Sequence, residues 1–179
     1  INQWIYSEFV STQNLVTQSL EIFRFDEAAK YIYQFVWHYY CDWYLEFNKV
    51  AIQKSENKTQ INELISNLIV NFSNILELLH PFMPFITEEL STKLALLCKK
   101  EKSEFLLQSG FTDIGSINEK SMHQLNYIID IVTAIRVIRA ENPGIKNEVL
   151  HLIISTDMSA EMQSSVAEQE NIIPGMARH

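Results

Sequence analysis

Apolar residues recur along this chain at spacings of three and four, and the densest such stretch runs from Asp26 to about Ser55 without a breaker. Ala29, Tyr33, Val36, Tyr40, Trp43 and Phe47 form one stripe, and Ala28, Ile32, Phe35 and Tyr39 form a neighbouring one. Two apolar stripes predict a helix buried on more than one side, in the middle of a bundle. At about 1.5 Å per residue it is a rod of roughly 45 Å. Asp26 stands where an N-cap belongs, with Glu27 near the positive end of the helix dipole. Asp42, set between Cys41 and Trp43, reads as a buried carboxylate that needs a hydrogen-bonded or cationic partner.

The same periodicity predicts four further helices. The first covers about Gln3 to Leu20, with Trp4, Ile5, Phe9, Val16 and Leu20 inside. After a polar connection from Ser55 to Lys58, Thr59 can cap a third helix running to His80, with Ile61, Leu64, Ile65, Leu68, Phe72, Ile75, Leu76 and Leu79 as its core side. Pro81 ends that helix, because it lacks a backbone donor and restricts the residue before it. Pro84 opens the fourth, which continues to about Lys99. Phe105 to Ser116 reads as a loop with a short extended piece at Phe105 to Leu107. The fifth helix, about Asn118 to Glu141, places Leu125, Ile128, Ile129, Val132, Ile135 and Ile138 inside and ends at Pro143-Gly144. Residues 148–155 read as a strand and Ser159 to about Gln169 as a weak helix. The fold class expected is therefore mainly α: an antiparallel helical bundle over residues 1–142, then the start of a small, incomplete α/β module over 143–179.

Composition narrows the class. A chain of 179 residues that is 47% hydrophobic can bury one real core, and only four glycines in that length favour long helices over tight turns. Cys41 and Cys98 fall inside predicted helices with no metal-type pairing, which suits a reducing compartment. No apolar run reaches the roughly 18 residues a membrane span requires, so no membrane partner is expected and the cytoplasm is the default location. Ile1 in place of methionine, and a terminus at Ala177-Arg178-His179, are read as those of a piece cut from a longer polypeptide.

Several ordered words go beyond a generic bundle. Arg24-Phe25-Asp26-Glu27-Ala28-Ala29, Tyr33-Gln34-Phe35-Val36-Trp37 and Cys41-Asp42-Trp43-Tyr44-Leu45-Glu46 follow Trp4-Ile5. After them come Leu79-His80-Pro81-Phe82-Met83-Pro84-Phe85-Ile86-Thr87-Glu88-Glu89-Leu90, then Ile135-Arg136 and Ile138-Arg139-Ala140-Glu141. In this order they resemble the anticodon-binding helical domain of the valyl-tRNA synthetases, a family of class I aminoacyl-tRNA synthetases, over residues 1 to about 155. The Leu-x-Pro-Phe-x-Pro word followed by Glu-Glu is shared loosely with isoleucyl and leucyl relatives, and the Cys-Asp-Trp-Tyr run favours valine. Asn142-Pro143-Gly144 directly after the Arg-Ala-Glu word departs from the family pattern.

The resemblance implies a parent enzyme that uses ATP to join valine to its tRNA, with this piece holding the anticodon arm. It also implies that part of the anticodon pocket comes from a preceding helix and that a C-terminal coiled-coil arm adds tRNA contacts, both outside these residues. The HIGH-type and KMSKS-type motifs of the class I active site do not occur here, nor does a Gly-rich phosphate loop or a Ser-His-Asp set, so no catalytic residue and no cofactor are assigned to the chain. The partner expected is a tRNA for valine, not DNA.

A net charge of −8 opposes long-range attraction to RNA, so contacts must come from a local basic or aromatic strip. Unstacked anticodon bases are read by stacking on aromatic or guanidinium planes and by hydrogen bonds to base edges. Arg136 and Arg139, three apart on one helical face, are the leading candidates, and Arg24 before the long helix is the third. The alternative is that Arg136 and Arg139 pair with carboxylates such as Asp42 or Glu141. Lys49 and Lys54 could reach phosphates but suit solvated surface equally. A helical protein-interaction module is a rival reading. Another is a di-metal bundle built on Glu77-x-x-His80 and Glu148-x-x-His151, with His38-x-x-Cys41 as a zinc half-site. Against the di-metal reading, the first motif ends at Pro81 and the second lies in a predicted strand, whose residues three apart face opposite ways.

Overall fold

A computed structural model describes residues 1–99, 105–109, 115–142 and 144, together with 163, 164, 166, 167 and 173. Its elements are α1 (Asn2–Glu21), α2 (Phe25–Gln34), a π-helical segment (Phe35–Tyr44), α3 (Leu45–Lys54), α4 (Lys58–Leu79), α5 (Pro84–Leu97), the single turn α6 (Leu106–Ser109) and α7 (Glu119–Glu141). No strand occurs among the described residues, and the architecture is a mainly α bundle. The strand expected at 148–155 lies outside the described residues, as does most of the helix after it. Val166 and Ile173 are buried in the same core as the helices.

Local chemistry sets the helix ends. α1 stops where Phe23 adopts a left-handed backbone (φ 61°), letting Arg24 N–H bond to the Ser19 carbonyl at 2.8 Å and Phe23 N–H to Leu20 at 3.1 Å. This Schellman-type ending normally uses glycine, which has no Cβ to clash. The turn starts α2 at Phe25, not Asp26, and the Asp26 carboxylate is drawn to Arg24 and does not cap. Asn57, not Thr59, caps α4, its Oδ1 accepting from the Thr59 N–H at 2.9 Å. Pro84 occupies the first turn of α5, and Asn118 caps α7 by accepting from the Ser121 N–H at 3.0 Å. Between α4 and α5, the Thr87 hydroxyl donates to the Met83 carbonyl at 2.8 Å and lies 2.8 Å from His80 Nδ1, clamping the two-proline turn.

From Phe25 to Lys54 the backbone stays helical, so the expected rod is present, but its middle is π-helical. There N–H groups reach back five residues, as Leu45 does to the Tyr40 carbonyl. The buried row along the rod is Ala28, Ile32, Phe35, then Tyr40, Tyr44 and Phe47. The five-residue step from Phe35 to Tyr40 carries the buried side from one predicted stripe to the other. The rod therefore presents one continuous buried row where two were expected. Ala29, Tyr33 and Trp37 face outward, and Asp42 is exposed and 3.5 Å from His38, so no charge is buried there.

The central place falls to α1, which packs on α2, the π segment, α4 and α7. Trp4, Ile5 and Val16 are fully buried, with Phe9 almost so. Its interior also holds Ser7, Glu8, Thr12, Gln13 and Ser19. Ser7 and Thr12 satisfy themselves by donating to carbonyls four residues back, each at 2.8 Å. Tyr44, wholly buried, ties three elements: its hydroxyl donates to Asn2 Oδ1 at 3.0 Å and accepts from Asn71 Nδ2 at 3.1 Å. α7 is clasped to α1 by the Asn118 N–H donating to Ser7 Oγ at 2.9 Å and by Trp4 Nε1 donating to Asn126 at 3.3 Å.

Three smaller expectations fail. Ile65 and Ile138, expected inside, are exposed. The extended piece expected at Phe105 to Leu107 is instead the start of α6, whose Leu106 N–H is capped by the Glu88 carboxylate at 3.1 Å.

Candidate nucleic-acid interface

Where α7 crosses the end of the π segment, an open cleft of about 490 Å³ is lined by Cys41, Asp42, Trp43, Glu46, Lys49 and Arg136. Arg136 projects across it and lies over the Trp43 ring, with Cζ 5.0 Å from the centroid. An indole face attracts a cation through its quadrupole, which orients the guanidinium plane. Trp43 is half-buried and packs on Phe47 below, at 6.0 Å between ring centroids. Lys49 is drawn to Glu46 at 2.7 Å, one turn back on the same helix. Burial raises the Cys41 thiol above its ordinary range, with a smaller push from Asp42, so it rests as the neutral thiol.

Of the three arginines expected from sequence, one lines this cleft. Arg139, one turn further along α7, is half-buried and does not line it. Arg24 lies apart, at the start of α2, 3.2 Å from Asp26 and 2.7 Å from Glu27. The hydrogen bond to Asp26 holds the Arg24 guanidinium above, and the carboxyl below, their ordinary values. Lys54 stands in the last turn of α3, outside the cleft.

Sequence reasoning missed Trp43, which it placed on a buried stripe. The signal that could have found it is its pairing with Arg136, a contact made across elements and invisible to spacing along one helix.

A second cleft, of about 320 Å³, lies between α5 and α6 and includes His80, Phe85, Glu88, Glu89, Phe105 and Leu107. Among the described residues its lining carries two carboxylates and no Lys or Arg, which suits it poorly to a polyphosphate. At the first motif of the di-metal reading, His80 Nδ1 lies 2.8 Å from the Thr87 hydroxyl. Glu148 and His151 lie outside the described residues. No group of three or more His, Cys, Asp and Glu that could hold a metal occurs among the described residues. His38 Nδ1 lies 3.5 Å from Asp42 Oδ2. No described helix is long and apolar enough to cross a membrane.

Known proteins are similar to this chain over most of its length. Residues 2–154 match the family model for the anticodon-binding domain of tRNA ligase. The valine–tRNA ligase of Pelagibacter ubique is 37% identical over 180 aligned positions, covering 99% of this chain and 20% of that protein. That of Neisseria gonorrhoeae is 34% identical over 179 positions, covering 99% of the chain and 18% of the protein. That of Brucella suis is 36% identical over 141 positions, 79% of the chain and 15% of the protein. The chain thus spans about a fifth, or less, of the length of these relatives. With the matched region running through α1 to α7, the chain belongs to the family of anticodon-binding domains of tRNA ligases.

Proposed function

We propose that this chain grips the anticodon arm of a tRNA for valine, as the anticodon-reading part of a longer cytoplasmic enzyme that joins valine to that tRNA at the expense of ATP. Bond-making and ATP belong to other parts of that enzyme, and this chain contributes recognition alone. The observation that carries the reading is Arg136 held over Trp43 at the mouth of an open cleft. Anticodon bases leave the stack when bound and need a new plane to lie on, which an indole or a guanidinium supplies. Arg136 arrives already oriented by Trp43, so little side-chain freedom is lost when a base edge or phosphate meets it. Lys49 adds a cation on the opposite wall, and Arg139 extends the basic side of α7.

The test is Arg136→Ala in the full-length protein. The KM for tRNA should rise about 5- to 100-fold, the loss expected for one stacking contact. ATP–pyrophosphate exchange with valine should be unchanged, because that step needs no tRNA contact. A parallel collapse of exchange would mean that the substitution damages folding, and the reading would be wrong.

A further inference from the structure

Lys30, Tyr33, Gln34, Trp37 and His38 are all exposed, and their spacing of three, four, seven and eight puts them on one outward face of α2 and the start of the π segment. The Tyr33 and Trp37 rings lie parallel to within 3°, their centroids 6.3 Å apart. His38 stands edge-on to Tyr33 at 6.4 Å and reaches Asp42, which lines the Arg136 cleft, at 3.5 Å. In a chain of net charge −8, no Asp or Glu occurs between Glu27 and Asp42. Both bordering carboxylates face a basic side chain, Glu27 facing Arg24 at 2.7 Å and Asp42 facing His38.

We propose that this face is a second base-stacking platform for single-stranded RNA, continuous with the Arg136–Trp43 cleft and taking nucleotides adjacent to those held there. The inference rests on the RNA-binding reading above and extends it to residues outside the cleft. Three properties select RNA over a protein occupant. The five side chains offer two π faces plus amide, imidazole and ammonium donors, and none is aliphatic, so an apolar helix would find little to interdigitate with. The local charge is neutral to positive where most of the chain is acidic, which complements a phosphate backbone. Trp37 and Trp43 are six residues apart on one rod, at most about 9 Å of rise. Two or three nucleotides stacked at about 3.4 Å each cover that rise along the axis.

The test uses the 179-residue chain and, as probe, an RNA hairpin carrying the anticodon loop of a valine tRNA. In a Trp43→Phe background the remaining tryptophans are Trp4, which is 0% exposed, and Trp37, which is 53% exposed. The hairpin should quench the Trp37 emission, and a blunt duplex without a loop should not. Trp37→Ala should weaken binding about 5- to 100-fold, and Trp37→Phe should restore most of it. If Trp43→Ala weakens binding while Trp37→Ala leaves it unchanged, the platform is wrong and the cleft reading survives. If the hairpin binds and neither substitution matters, both readings fall. If Trp37→Ala changes the sedimentation of the chain but not RNA binding, the face is a protein contact and the platform is overturned.

Discussion

Glu8 is a carboxylate in the middle of α1 with only 6% of its surface exposed, surrounded by Trp4, Asn126 and Tyr39. Loss of solvent raises its pKa above the ordinary 4.5, while hydrogen bonds to Trp4 and Asn126 act the other way and do not cancel it. A raised acid pKa means that the folded state binds the proton more tightly than the unfolded chain. The stability this group contributes is therefore fully present below the unfolded pKa and is lost as pH rises through the folded one. A glutamine at this position would have nearly the same shape and no charge to bury. The stability of Glu8→Gln relative to the parent should be near zero at low pH and grow in favour of the variant. The growth is limited to about 1.4 kcal/mol per pH unit for one proton, and it levels off above the folded pKa. Urea unfolding followed by circular dichroism, at steps from about pH 4 to about pH 8, gives both curves, and their difference cancels every group common to the two proteins. A difference that is flat, or that favours the parent as pH rises, would refute the reasoning. Glu8 would then be stabilised in its charged form by a partner stronger than Asn126.

Two further outcomes follow from single contacts. Tyr44→Phe removes the hydroxyl shared by Asn2 and Asn71, while Asn71 keeps its second bond to the Asn67 carbonyl at 2.8 Å. It should cost about 1 to 2 kcal/mol, read by thermal unfolding as a Tm lower by about 2–8 °C; an unchanged Tm would mean that water replaces the hydroxyl fully. Phe23→Asn relieves a left-handed backbone at a residue that is 78% exposed, so it should stabilise by about 0.5 to 1 kcal/mol in urea unfolding. A loss there would show that the Phe23–Phe25 ring contact, at 6.4 Å, outweighs the strain.

What was legible in the sequence was what local chemistry decides. The helix after Pro84, the stop at Pro81, the start near Asn118, and the core positions Trp4, Ile5, Phe9, Val16, Leu125, Ile128 and Val132 all follow from propensity and a 3.6-residue period. The phase of the rod was not legible, because a five-residue π step leaves no mark in a pattern searched at three and four. That one step explains why Asp42 is on the surface and why Tyr33 and Trp37 are outside. The central position of α1 was hidden for a different reason. Ser7, Glu8, Thr12, Gln13 and Ser19 make the buried side look polar, and nothing along the chain announces that Ser7 and Thr12 bond to their own helix. Arg136 was found as a residue but not as a geometry. Arg24 was found as a charge, and its two acidic neighbours in sequence already contained the pairing that occupies it.

The acidity of the chain constrains how such a surface can bind. Each phosphate neutralised by a cation releases counterions, and that release supplies most of the affinity of strongly basic RNA-binding proteins. The cations on the rod and its cleft are Lys30, Lys49, Lys54 and Arg136, and Lys49 is already drawn to Glu46 at 2.7 Å. Counterion release on that scale is too small to overcome a field of −8, so attraction at long range cannot be what selects this face. Stacking is different in kind. It acts only at contact, is worth about 1 to 3 kcal/mol per base, and is available to a base only where the loop has already opened it. A surface that binds through aromatic planes inside an otherwise repellent field accepts an unstacked loop at one place and rejects duplex phosphate elsewhere. The π segment is what makes that arrangement possible. By turning Tyr40 and Tyr44 inward after Phe35 it keeps the core continuous and leaves Tyr33, Trp37 and the edge of Trp43 on the outside of the same helix.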